Sequence, residues 1–525
     1  MCRVEFVRKT SLLAVLGIAS LMVAAEKTEP SRHTPHASSA GSIQDLQQQI
    51  ADLKAIVLEM RSEVSSSRQA LTELTKEVQE TRSWLAQQNA QRIPERQTPG
   101  AGSEIAESAT QGASTERKTI SDEEIELLNA KINEQYQTKV ESASKYRVRL
   151  SGLLLFNTFS NSGAVDNIDF PHFALAEGII PRRETFGGSL RQSQIGLELF
   201  GPTLFNARTS ADLQLDFAGG FAATDNGVSS GLVRLRTGTL RLDWPRTSLI
   251  GGQDALFFSP LSPTSLASLA VPAFAYAGNL WAWTPQIRVR HNFDLGNQRF
   301  TLQGGILDSF TGEPPYAAFY RTSTAGENSG QPAYALRAAW ASGASDTASG
   351  FGVSGYYGRQ NWGFDRHVDA WAGMADWNVS LGQLFALSGE FYRGRGVGGL
   401  GGGLGRSVLY SGPFQLASSR VIGLHSMGGW AQLKVKPATK LEFNAAFGQD
   451  NVRAAQVRAF GGLQNALNVL YDPALTRNRS AFVNVIYRMR SNLLLSLENR
   501  QIETFRVDER SKSANHTSMS VGVLF

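Results

Sequence analysis

From Lys145 to the C-terminus, apolar and polar residues alternate with a period of two, and the clearest run is Ala207 to Phe217. Ala207, Thr209, Ala211, Leu213, Leu215 and Phe217 share one face, while Arg208, Ser210, Asp212, Gln214 and Asp216 share the other. That pattern predicts a strand with one apolar side. The same alternation recurs near 146–159, 189–200, 232–244, 247–254, 285–293, 299–308, 333–341, 350–359 and 368–379. It continues near 383–395, 422–436, 439–450, 478–490, 492–506 and 514–525, which makes about sixteen strands. Short links such as Gly201-Pro202, Trp244–Arg246, Asp294–Asn297 and Ser491-Asn492 alternate with mostly long ones at 160–188, 218–231, 255–284, 309–332, 396–421 and 451–477. Short turns on one rim and long loops on the other predict an all-β transmembrane barrel of antiparallel strands. A soluble sandwich has no reason to segregate loop lengths in this way.

Ahead of the barrel the periodicity is helical. Apolar or small residues fall at Ile43, Leu46, Ile50, Leu53, Val57, Met60, Val64, Ser67, Leu71, Leu74, Val78, Thr81 and Leu85. Steps of three and four alternate over about six heptads, which predicts an α-helical coiled coil over 43–90 and hence a homo-oligomer. β-branched residues at the first seam position favour two strands, but Leu71 and Leu85 there, with Ser67 and Thr81 at the second, leave the strand number open. Polar Pro/Ser- and Gly-containing stretches at 26–42 and 91–119 read as linkers. Ser121 to Glu124 forms a capping box that opens a short helix within 120–144.

Residues 1–25 read as a secretory signal, with Arg3, Arg8 and Lys9 before the apolar run Ser11 to Ala25. At about 15 residues that run is short for a membrane helix, and nothing after it approaches the ~20 apolar residues needed. The single cysteine, Cys2, leaves with the signal, so disulfides, thiolate metal sites and cysteine nucleophiles are excluded. The chain carries 51 Lys+Arg against 46 Asp+Glu; the leader holds Arg3, Arg8 and Lys9 against Glu5, so +5 falls to +3. So small an excess, without a dense basic patch, points away from nucleic acid.

Parity assigns the lumenal side chains. Val233, Leu235, Thr237 and Thr239 outward place Arg234 and Arg236 inward; Ile287, Val289, His291 and Phe293 outward place Gln286, Arg288 and Arg290 inward. Ala481 to Met489 outward places Arg488 and Arg490 inside. The opposite register would put arginines in lipid at about 2–4 kcal/mol each. Between the two arginine pairs lies the longest apolar loop, 255–284, with Phe257, Phe258, Phe274, Tyr276, Trp281, Trp283, Pro260, Pro263 and Pro272, which is expected to fold into the pore. Arg234, Arg236, Arg288 and Arg290, with Arg208 and Asp212, are the candidate pore-lining residues. Basic side chains opposite such a loop favour anions. The same arginines can instead pair with Asp212, Asp216, Glu198 and Glu390 to stiffen the wall.

The leader, heptads and linker, the stretch LVRLRTGTLRLDW followed by LIGGQDALFFSP, and a sixteen-stranded barrel ending in Phe525 together resemble the DcaP-type porins. Phosphate-selective porins are a more distant likeness. The resemblance implies a homotrimer in the Gram-negative outer membrane, a periplasmic coiled coil, and passive uptake of small anionic solutes such as dicarboxylates. It places solute contact on Arg234, Arg236, Arg288 and Arg290. Terminal Phe525 resembles the end of other outer-membrane barrels and implies recognition by the barrel-assembly machinery.

Enzymatic readings are weak. His516 and Ser518 have a lipase-like spacing, but Val523 and Phe525 place them on the lumenal face. Asp365, Arg366, His367 and Asp369 read as ordinary loop charges, and the glycine run 396–405 lacks the Lys-Ser/Thr of a phosphate loop and reads as a mobile external loop. No cofactor, metal or catalytic residue is expected. A structural alternative remains: the heptads span roughly 60–65 Å at 1.5 Å per residue, enough for an envelope tether that contacts peptidoglycan while the barrel anchors it.

Overall fold

The computed structural model describes residues 147–176, 184–221, 231–313, 321–342, 349–412, 416–460, 474–507 and 510–525, together with the backbone of 139–140. The leader, the heptad segment, both linkers and the short-helix segment up to 138 lie outside the described residues, while Lys139–Val140, within 120–144, is not helical but pairs antiparallel with Arg149 and Val148. Among the described residues no helix is long and apolar enough to cross a membrane.

Sixteen antiparallel strands close into a barrel. They are β1 (Arg147–Ser162), β2 in two runs (Glu184–Ser189 and Gln194–Leu204), β3 (Ala207–Asp216), β4 (Arg234–Asp243), β5 (Thr247–Ala255), β6 (Trp283–Leu295), β7 (Gln298–Leu307) and β8 (Ala333–Ser342). Next come β9 (Ser349–Asn361), β10 (His367–Leu381), β11 (Phe385–Arg395), β12 (His425–Ala438), β13 (Leu441–Val452), β14 (Leu475–Arg490), β15 (Leu493–Arg506) and β16 (Lys512–Leu524). Each pairs with its neighbours in sequence, and β16 closes on β1 from Leu153↔Leu524 to Ser162↔Asn515. Phe525 finishes the seam: Gly152 donates its N–H to the Phe525 carbonyl at 2.9 Å, and Phe525 donates back to Gly152 at 3.1 Å.

Closure leaves no free sheet edge, so every strand's backbone is satisfied inside the wall. The exterior then has to be apolar. Phe351, Val353, Leu497 and Met519 stand more than half exposed on that outer face, whereas inward neighbours Ser496, Glu498 and Ser518 are buried. The alternation is thus inverted relative to a soluble protein: the exposed side is the greasy one.

Simple pairing fails at two places in β2. The first short turn is Phe205-Asn206, with both residues at positive φ, rather than Gly201-Pro202. Pro202, lacking an N–H, sits instead in a ladder irregularity between Phe200 and Thr203. The break in β2 at 190–193 is bridged by Ser193, whose hydroxyl accepts from Leu155 N–H at 3.0 Å, and it turns Arg191 and Gln192 into the buried interior.

Candidate functional site

The lumen is narrowed by the loop 256–282, called L3, which folds inward as its apolar content predicts. Phe257, Phe258 and Phe274 are all at most 5% exposed. Phe258 stacks on Tyr356 at 5.5 Å between centroids, and Phe274 meets Phe482 at 5.1 Å. The hydrogen bonds show the path. Ser259 Oγ donates to Glu390 Oε2 at 2.6 Å and Leu261 N–H to its Oε1 at 2.8 Å. Thr264 N–H donates to Gln432 at 2.6 Å, Asn484 to Thr264 O at 2.9 Å, and Ser265 Oγ to Glu498 at 2.6 Å. Gln192 donates to Ala267 O at 3.0 Å and accepts from Leu269 N–H at 2.7 Å. L3 is therefore a belt along the inner wall from β11 round to β2, where Glu390, Gln432, Asn484, Glu498 and Gln192 each meet a loop partner that offsets their desolvation.

The belt ends against β4. Arg234 donates to Ala270 O and Arg236 to Leu269 O, both at 2.6 Å, while both guanidiniums also bind Asp216 (2.6 and 3.0 Å at its Oδ2). The Trp283 ring lies 4.8 and 4.6 Å from the two guanidinium carbons. These arginines therefore both hold L3 and present a partly exposed cationic edge.

The ladder along β4 contains a bulge. Register slips between Gln214↔Thr237 and Leu215↔Leu235, so Arg236 is an extra residue. The slip reverses parity beyond it, which corrects the expectation for Thr237 and Thr239: both face inward and are buried at 8% and 4%. Thr239 hydrogen-bonds the lumenal carboxylate of Asp212. Gly238, a glycine within a strand, is the sequence signal of that bulge. Gly252 on β5 has φ +135°, and a Cβ there would stand 2.2 Å from the Gly238 carbonyl.

The wall opposite the belt runs β4 to β8. Cross-strand pairing sets two rows: Arg241–Ile250–Arg288–Gly305–Ala335, and Asp243–Ser248–Arg290–Gln303–Arg337. Arg241 pairs with Asp243 at 3.2 Å, Arg288 with Asp254 at 2.6 Å and Arg337 with Asp376 at 2.6 Å. Arg290 has only the Ser248 hydroxyl, at 3.3 Å, and no carboxylate among the described residues pairs with it. Its Nε is buried without a partner. Two glycines make room: a Cβ at Gly305 would stand 2.8 Å from Arg288 Cβ, and one at Gly352 would stand 2.6 Å from Arg337 Nη2.

Of the candidates named from sequence, Arg234, Arg236, Arg288, Arg290 and Asp212 come together on this wall, whereas Arg208 is exposed near the start of β3, towards the short-turn rim. Arg488 and Arg490 are likewise exposed at the end of β14. The wall-stiffening role is met in part: Asp216 pairs with two arginines, whereas Glu198 pairs with Arg149 near the rim at 3.8 Å and Glu390 holds L3. Arg241 and Arg337 were missed: outward Leu336 marks Arg337 by parity, whereas Arg241 lies beyond the bulge, where counting from Val233 and Leu235 would place it outside. His516 and Ser518 do face inward, each 1% exposed, and His516 Nδ1 lies 2.7 Å from Asn161 Oδ1.

The glycine run 396–405 is corrected. It is not a mobile external loop but two buried 3-10 turns, Gly398–Leu400 and Gly403–Gly405, packed inside the barrel mouth. Trp281 N–H donates to Leu400 O at 2.9 Å, and a Cβ at Gly399 would stand 2.2 Å from Phe310 O. Without side chains, backbone packs on backbone, and the run interlocks L3 with the loop after β7.

The fold defines a closed sixteen-stranded antiparallel barrel with an infolded third loop. No family model and no curated protein matches the chain. Among solved structures it is similar to the outer membrane channel DcaP of Acinetobacter baumannii, at 15% identity and TM-score 0.53, over 74% of this chain and 100% of that one. Weaker likenesses are to OprB of Pseudomonas putida (11% identity, TM-score 0.47, 76% of this chain and 97% of that one) and an anion-selective porin from Comamonas acidovorans (11%, 0.45, 72% and 100%).

Proposed function

We propose that the chain is an outer-membrane porin for passive diffusion of small hydrophilic solutes, with a mild preference for anions of the dicarboxylate type. The observation that carries this reading is the opposition of the L3 belt to an arginine wall holding one guanidinium, Arg290, without a carboxylate. Along that wall and its flanking strands β3 and β10, Arg234, Arg236, Arg241, Arg288, Arg290 and Arg337 face Asp212, Asp216, Asp243, Asp254 and Asp376, an excess of one positive charge. So small an excess favours anions without excluding cations. A solute with two carboxylates can engage two separate guanidiniums, each end finding a charge-assisted donor. The likeness to an outer membrane channel and the apolar exterior support the location. A homotrimer, a periplasmic coiled coil over 43–90 and barrel-assembly recognition of Phe525 belong to the same proposal through the resemblance to DcaP-type porins.

Reversal potential in a planar bilayer under a KCl gradient tests it. Wild type is expected to favour chloride, and Arg290→Ala to move the potential towards zero. A cation-selective potential that Arg290→Ala leaves unchanged would sink the arginine-wall argument.

A further inference from the structure

The barrel exterior carries a second group of arginines with no lumenal role. On β11, Phe391 is exposed to the outside and parity puts Arg393 beside it, also exposed. Arg395, two residues further, pairs across with His425 on β12, and the next loop begins with Arg453, whose N–H donates to the His425 carbonyl at 2.9 Å. Arg395 lies opposite His425 in the ladder, Arg393 stands two residues before it on the same face, and Arg453 binds the His425 backbone, so the three flank one pair of strand ends. Arg477, exposed at the start of β14, extends the group: it pairs in register with Asn451 and donates to that side chain at 2.8 Å.

None of these four arginines forms an ion pair with a carboxylate among the described residues, and Arg395 Nε is buried without any hydrogen bond. Unpaired arginines next to one another are costly unless something anionic joins them, since like charges repel and a desolvated guanidinium needs acceptors. Next to the group the exterior is neutral or balanced: Asn499 bonds Thr517 at 2.8 Å, and Arg479, also on β14, pairs with Glu503.

The height of the group on the barrel says what the anion is attached to. The cluster sits at the strand ends on the long-loop rim, and the exterior immediately towards the opposite rim is Phe391, Met427 and Phe447, each more than two-fifths exposed. A partner that satisfies both zones has anionic groups above and hydrocarbon below. We propose that this arginine cluster binds the phosphorylated headgroup of an acylated glycolipid in the outer leaflet, with the acyl chains lying over Phe391, Met427 and Phe447. Guanidinium and phosphate match in fork geometry, which makes arginine rather than lysine the fitting residue. This inference rests on the outer-membrane reading above. A free phosphate would meet the cations but leave the apolar zone uncovered.

The test uses full-length protein extracted from outer membranes in mild detergent. Native mass spectrometry and thermal melting are recorded after addition of a bisphosphorylated, acylated glucosamine disaccharide or its dephosphorylated counterpart. Wild type is expected to retain and be stabilised by the phosphorylated lipid only. Arg393→Ala with Arg453→Ala is expected to weaken retention by about tenfold or more, as loss of charge-assisted contacts implies. Equal stabilisation by the dephosphorylated lipid, or by inorganic phosphate alone, overturns the proposal. So does a variant that changes oligomeric state while lipid retention is unchanged, which would make the cluster a contact between copies. The wild-type comparison stands even if the variant fails to fold. A chain absent from the outer-membrane fraction would instead overturn the reading on which this inference rests.

Discussion

The two sides of the lumen solve the same problem in opposite ways. From β11 round to β2 the wall is rich in buried Asn, Gln, Ser and Glu, and L3 supplies a hydrogen-bond partner to its key members, as Glu390, Gln432, Asn484 and Glu498 illustrate. From β4 to β8 the wall keeps its polarity as guanidiniums, partly enclosed and matched to carboxylates except at Arg290. The first side behaves like a protein core whose specificity lies in satisfied polar groups. The second stays open to solvent, where a charge can exchange a water for a solute. In the proposed function this asymmetry matters, because one wall positions the loop and leaves the other to face the lumen.

The sharpest way to break the comparison is to unseat the belt without touching a charge. Gly278 has φ +101°, and a Cβ there would lie 2.3 Å from the Gly429 carbonyl and 2.6 Å from that of Gln449. Gly278→Val places bulk against two strand backbones and forces a left-handed residue to be β-branched. A cost of about 3–5 kcal/mol is expected, borne first by L3. Single-channel recording should show higher conductance, with noise from a detached loop, while the barrel still resists heat in mild detergent. Unchanged conductance would mean that L3 does not set the constriction.

A smaller effect is expected at the seam where the two walls meet. Asp216→Ala leaves Arg234 and Arg236 with the Leu269 and Ala270 carbonyls but no counter-charge. Losing the shared partner of a largely buried pair costs about 2–4 kcal/mol, and the freed guanidiniums raise the lumenal positive charge by one. Greater anion preference together with a lower melting temperature is the expected pair of changes. A variant that melts lower with unaltered selectivity would make these two arginines purely structural.

Strand number, the outward and inward faces and the infolding of L3 were all legible in the sequence, because each is written in local alternation or in the composition of one loop. The bulge at Arg236 was not, since parity counting assumes an unbroken ladder; only Gly238 hints at it. Nor were the ion pairs. Asp376 reaches Arg337 across 39 positions and Glu390 reaches Ser259 across 131, distances at which no local pattern constrains a partner. The glycine run misled for a physical reason. Glycine marks equally a chain that is free and a chain pressed against backbone, and only the neighbours Phe310 and Trp281 decide between them.

Those neighbours lead to the smallest expected effect, which concerns the loops above the two walls. Glu313, in the loop after β7, accepts the N–H groups of Ser407 at 2.8 Å and Val408 at 3.1 Å and so latches that loop to the one carrying the glycine run. Enclosure of its carboxyl pushes its pKa up, and the two backbone donors oppose that only in part. The folded state thus favours the neutral form. The latch is strongest below the ordinary glutamate pKa of about 4.3 and weakens as pH rises through it towards the raised value. Hydrogen exchange at the Ser407 and Val408 amides, corrected for intrinsic rate, should therefore show greater protection in acid. Glu313→Gln keeps an acceptor for both donors and removes the titration, so protection should become independent of pH, with a change of about 1 kcal/mol or less. Protection that instead grows with pH in the wild type would show the carboxylate, not the carboxylic acid, to be the latching form, and the loops above the lumen would then tighten where the arginine wall is unaltered.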